Sequence, residues 1–283
     1  MRAQQAPPWA VTPVWGAPRP GFALDRRVSR VSARLGDISM VGTAHAGTCF
    51  LLRSLRGWWA GGTPRGGTVD NEYGDGGFRG DVYMGPRLVT VQGMILTETG
   101  AAQMEAFDQL AAVWGEDRWQ TLSVTEGERG LTRELDVAPR DTPEPTPLSD
   151  VAATFSLTMR SESFPLLAPV ETVRIPLGGS AAVINRGNYP TVPEAMFYGP
   201  LPTPRLRFGG ATPGTWRYLA NINQGQRLQV DFDKRIMRNP DTQGHSRIYG
   251  SGDWPVLAPG QTTFHLEGTG SGYVDLSWRS AWN

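Results

Sequence analysis

Apolar and polar residues alternate with a period of two along most of this chain, and that period predicts strands. Val31, Ala33 and Leu35 share one face within residues 28–35, and Val89, Val91 and Ile95 share one within 87–96. Strands are also predicted at 120–125 and 131–137, joined by the turn-forming run Glu126, Gly127, Glu128, Arg129, Gly130. Ala153, Phe155, Leu157 and Met159 alternate with Thr154, Ser156, Thr158 and Arg160. Further on, the apolar sets are Leu206 and Phe208; Leu228, Val230 and Phe232; Phe264 and Leu266; and Val274, Leu276 and Trp278. Each such strand has one wet and one dry face, as two packed sheets require.

One segment breaks the period. Met104, Phe107, Ala111 and Trp114 recur at spacings of three and four, which predicts a helix over 101–114 with Gly115 ending it. Thr97 or Thr99 is placed to cap its start, and Glu98 suits that positive end. The chain is therefore expected to be mainly β, in two sandwich-like domains, the first carrying one α-helix.

The domains are placed at 1–165 and 170–283, because Pro165 and Pro169 make the junction short and stiff. The first twenty or so residues are broken by proline, and Trp9 and Trp15 read as apolar anchors of an arm that packs on a neighbour. Residues 57–85 are dense in glycine and are expected to form a long loop. A loop of that length inside a compact domain has a task or is disordered.

Glycine (35) and proline (23) are abundant, but they fall between the alternating segments, as turns joining short strands would. The chain carries 27 basic and 27 acidic residues, so it lacks the overall charge that would hold nucleic acid by its phosphates. Cys49 is the only cysteine, which excludes an intrachain disulfide. The first residues lack the apolar segment of about 7 to 15 residues that a secretory signal needs, so export by that route is not expected. No apolar run approaches the roughly 20 residues of a membrane-crossing helix, so a soluble protein without membrane insertion is expected.

Catalytic motifs are missing from the sequence. Lys234 is the only lysine and no phosphate-cradling glycine loop leads to it, nor is there a Gly-x-Ser-x-Gly elbow. In the run from Gly74 to Gly80, Arg79 stands where a dinucleotide fingerprint needs its third glycine. Asp70, Glu72, Asp75 and Asp81 have the spacing of a calcium loop, but Asp75 occupies the glycine position and Asp81 replaces the closing glutamate. His45, His245 and His265 form no zinc-like pair. No catalytic residue, cofactor or metal ligand is assigned, and no enzyme is expected.

Three phrases in the last third carry a resemblance. They are Asn185 and Gly187 leading to Thr191 and Pro193; Gly225, Leu228, Val230 and Asp231; and Trp254, Leu257, Pro259 and Gly260 ahead of a strand at Thr263. In this order and spacing they resemble the C-terminal domain of the siphophage distal tail proteins. The glycine-rich loop with Arg79 and Gly80, the strand 87–96 and the following helix extend the likeness toward the N-terminus. The resemblance implies a ring-forming first domain and a second domain that is galectin-like or like a carbohydrate-binding module. It further implies a ring, in that family a hexamer, joining the tail tube to the hub and adsorption apparatus at the tip of the virion, after assembly in the host cytoplasm. Its partners would be further copies of the chain, the tail tube protein, the tail-associated hub protein and receptor-binding proteins, with DNA only passing through the channel.

Ring closure needs one patch to meet a different patch on the next copy. Trp9, Trp15, Trp58, Trp59, Tyr73, Phe78 and Arg79 are the expected contributors, because paired tryptophans on a glycine-hinged segment are poorly explained as loop facing water. The alternative is a carbohydrate-binding virion or accessory protein that presents Tyr249 and Trp254 to a glycan.

Overall fold

The computed structural model describes residues 30–41, 47–114, 119–241, 244–245 and 250–283. Trp9, Trp15, Gly115 and Tyr249 lie outside the described residues. The described chain is mainly β with one helix and packs around two core clusters.

The first cluster is enclosed by a sheet that closes on itself. Seven strands follow one another around it: Leu131–Pro139, Gln120–Glu126, Val31–Leu35, Ile38–Val41, Cys49–Arg56, Leu88–Leu96 and Ala152–Arg160. The ring is completed where Met159 pairs with Pro139 and Arg160 with Ala138. All neighbours are antiparallel except Ile38–Val41 with Cys49–Arg56. This barrel-like closure stands where a sandwich-like pair of sheets was expected, since alternation says which face is dry but not which strand meets which. Closure leaves those strands few free edges on which to pair with other chains. The expected faces are buried: Val31, Ala33 and Leu35; Val89, Val91 and Ile95; Ala153, Phe155, Leu157 and Met159.

The helix spans Gly100–Ala112, with the Thr99 hydroxyl accepting from the Ala102 amide. Its buried stripe differs from the expected one. Gln103, Ala106 and Leu110 face inward, followed by Val113 and Trp114, whereas Met104 is 54% exposed. Both stripes have spacings of three and four, so periodicity alone could not choose between them. Tertiary contact does, because the Gln103 amide donates to the Ser149 carbonyl at 3.0 Å and turns that side toward the sheet.

The second cluster draws on two sheets. One runs Glu171–Pro176, Tyr273–Trp278, Glu194–Tyr198, Arg227–Asp231, Ile236–Asn239 and Gly244–His245; the other runs Ser180–Asn185, Gly260–Glu267, Arg205–Gly209, Gly214–Tyr218 and Gly250–Gly252. Val274, Leu276, Phe197 and Val230 from the first sheet join Leu206, Phe208, Trp216, Phe264 and Leu266 from the second in one core.

The end of the chain fastens the two parts together. Leu166–Leu167 pairs with Ala281–Trp282 on one side and meets Glu134 on the other, so residues 281–282 extend the first sheet. Trp282 is buried in the first cluster. Arg279 donates to the Ala168 carbonyl and to the carboxylate of Glu134.

Candidate assembly surfaces

Residues 57–85, expected as a loop, form a two-stranded hairpin, Pro64–Asp70 with Gly77–Met84, that is a sheet by itself. The glycines hid it, because they interrupt the alternation while serving close backbone approaches. Gly57 takes φ +80, and a Cβ there would run into the Leu88 carbonyl oxygen, so the chain can leave the barrel only through a glycine.

The root of the hairpin is locked from below. Arg87 is buried and donates to the carbonyls of Trp58 (2.8 Å), Gly57 (3.2 Å) and Phe164 (3.2 Å), and also to that of Ala60. Its guanidinium lies 5.6 Å from the Phe164 ring centroid. Burial, and then the charge of Arg133, pull its pKa below the ordinary arginine value. A cation that accepts this penalty among carbonyls holds the outgoing and returning strands in fixed relation. The Gly85 amide adds a bond to the Thr63 carbonyl at 2.7 Å.

This arrangement divides the expected interface residues. Trp58 is fully buried in the barrel core, so it cannot present adhesive surface to a neighbour; the expectation for it is corrected. Its ring is part of the first core cluster, which gives the tryptophan a packing role within the single chain. Trp59 is half-buried against the same core. Tyr73, at the hairpin tip, is 96% exposed. Phe78 and Arg79 sit in register opposite Val69 and Thr68. The returning strand adds three residues that the sequence reading missed: Val82, Tyr83 and Met84, at 58%, 63% and 41% exposure. Their signal was the unbroken apolar run directly after Asp81, masked by the glycines before it.

The three phrases that carried the resemblance have structural tasks. The buried Asn185 amide donates to the carbonyls of Tyr189 (2.8 Å) and Leu257 (3.0 Å), and its oxygen accepts from the amides of Gly187 (3.0 Å) and Ala281 (3.2 Å). One side chain thus ties together the first phrase, the third phrase and the last strand. A Cβ on Gly187 would collide with the Ala281 backbone, so that position needs glycine. Thr191 and Leu257 exchange both backbone bonds, and Asp231 accepts from the Lys234 amide in the turn after its strand.

Trp254 is half-buried, with ring contacts to Trp216 (6.4 Å) and Phe232 (6.0 Å) and the Arg235 guanidinium 5.5 Å from its centroid. Its ring packs against the second core cluster. Among the described residues no group of three His, Cys, Asp or Glu side chains is placed to hold a metal ion.

No protein-family model matches this chain, and no curated protein matches it by sequence. Solved structures do. The chain is similar to the SPP1 Dit (gp 19.1) protein, described as a paradigm of the hub adsorption apparatus in phages that infect Gram-positive bacteria. The TM-score is 0.62 at 13% identity, over 89% of this chain and 99% of that one. It is also similar to a chain of the phage p2 baseplate in its activated conformation with Sr, at TM-score 0.51 and 10% identity, over 88% of this chain and 97% of that one. The fold is therefore shared with these two phage proteins. The resemblance to the siphophage distal tail proteins holds for the whole fold.

Proposed function

We propose that this chain is a structural component of a phage tail tip, forming a closed ring that joins the tail tube to the hub and adsorption apparatus. The observation that carries the proposal is the match to SPP1 Dit over nearly the full length of both chains, which spans both core clusters. In this proposal residues 1–165 form the ring, and residues 170–283 form an outer, galectin-like sandwich. Copies of the chain, the tail tube, the hub protein and receptor-binding proteins are its partners, and DNA passes through the hole. Its place is the virion tail tip, after assembly in the host cytoplasm, and its task is assembly without catalysis.

The closed barrel supports ring building physically. With few open strand edges, copies have little scope for indefinite edge-to-edge pairing, and a directed contact falls to the protruding hairpin. Val82, Tyr83 and Met84, with Tyr73 at the tip, are the surface it offers to a different patch on the next copy. Trp59 contributes at the root.

Mass measurement of the purified chain together with electron microscopy tests the proposal. A closed ring of about six copies around a central hole is expected. A protein that stays monomeric at high concentration, both alone and with the tail tube protein added, overturns it.

A further inference from the structure

The outer faces of the two C-terminal sheets differ in charge. On the six-stranded sheet two arginines have carboxylate partners, Arg174 donating two 2.8 Å bonds to Asp275 and Arg227 pairing with Asp241, while Arg238 donates to the neutral Gln229 at 2.9 Å. On the five-stranded sheet Arg205 stands directly opposite Arg217, and Arg207 directly opposite His265. The like charges of Arg205 and Arg217, facing each other across an antiparallel pair, are destabilising. Glu267 is the carboxylate among these rows; it lies opposite Arg205 yet pairs with Arg207, through Nε at 3.2 Å. Asp253, at the far end of the sheet, accepts from the Thr215 amide.

A trough of about 450 Å³ opens on this same face, lined by Ser180, Arg207, Gly209, Thr263 and His265, with Phe208 behind them. Its floor is low because Gly209 carries no side chain, and a Cβ added there would meet nothing within 4 Å. The Ser180 hydroxyl lies 3.2 Å from His265 Nδ1. The trough is larger than a bare oxyanion needs, and its wall offers hydroxyls beside a guanidinium fork.

We propose that this trough binds one anionic sugar unit, with the phosphate or carboxylate of the sugar on Arg207 and its hydroxyls against Ser180, Thr263 and His265. The planar guanidinium matches either oxyanion, since its five donors exceed what Glu267 engages. Arg205 and Arg217 add long-range attraction, which weakens with salt. The site lies on a different sheet from the hairpin.

Calorimetric titration of the full chain with glucose 6-phosphate, galacturonate, glucose and inorganic phosphate tests this. Binding of either anionic sugar in preference to glucose is expected, with phosphate alone weaker. Arg207→Gln should weaken that binding by roughly tenfold or more, as loss of a charged hydrogen-bond partner does. Gly209→Val fills the trough without changing charge and should also remove binding, while Arg238→Gln on the other sheet should leave it intact. All three positions are at least partly exposed, so thermal melts should remain near that of the parent chain. Equal binding of glucose, phosphate as tight as the sugars, no binding at all, or binding indifferent to Arg207→Gln and Gly209→Val would each overturn the proposal.

Discussion

The barrel strands on either side of residues 57–87 turn their apolar side chains inward, while the hairpin that leaves between them holds Tyr73, Val82, Tyr83 and Met84 in solvent. Both regions are β structure with aromatic residues, yet their aromatics do opposite things. Trp58 ends in the core and Tyr73, 15 residues further along the chain, at a tip. The boundary between them is the buried Arg87, whose bonds to the carbonyls of residues 57, 58 and 60 fix where the chain stops being core and begins to protrude. Aromatic content alone therefore does not tell core from protruding surface; the carbonyls gathered around Arg87 mark where the one gives way to the other.

Substitutions at the root and on the hairpin should separate the two regions. Trp58→Ala should have the largest effect, destabilising the monomer by about 3 to 5 kcal/mol in denaturant titrations, as emptied aromatic sites do. A smaller loss would mean that the hairpin root is not part of the barrel core. Arg87→Met should follow at about 2 to 4 kcal/mol, because several buried carbonyls lose their donor together. Faster proteolysis within residues 57–87 should accompany it; unchanged cleavage would show that the arginine does not hold the root. Tyr83→Ser combined with Met84→Ser should leave folding within about 0.5 kcal/mol of the parent while shifting the assembly toward smaller species in sizing experiments. Rings of unchanged mass would remove the hairpin from the proposed contact. Tyr73→Ala should do least, with no change in melting and a modest rise in the concentration needed for assembly.

Along the outgoing segment the sequence signal was ambiguous for a physical reason. Glycines at 57, 61, 62, 66 and 67 erase a period-two pattern whether they belong to a loop or to a hairpin with close backbone contacts. Trp58 and Trp59 were adjacent, and nothing local distinguished the one that reaches the core from the one that half-covers it. The partial burial of Trp254 was not legible either, since its contacts with Trp216 and Phe232 join residues far apart in the chain. The basic face of the five-stranded sheet was not legible at all, because Arg205, Arg217 and His265 meet only through strand pairing.

What the sequence determined by itself was the buried face of the regularly alternating strands, as in Val31, Ala33 and Leu35 or Val274, Leu276 and Trp278, together with a helix start capped at Thr97 or Thr99, of which the structure uses Thr99. Those properties depend on neighbours two to four residues away, where period and capping chemistry act directly. Tertiary structure alone decided the closure of the barrel at Met159 and Pro139, the rotation of the helix onto Gln103 and Leu110, the burial of Trp58, and the linking of residues 185, 257 and 281 through one amide. Each of these pairs groups distant in the chain, and their selection rests on complementary shape and satisfied hydrogen bonds that no local pattern encodes.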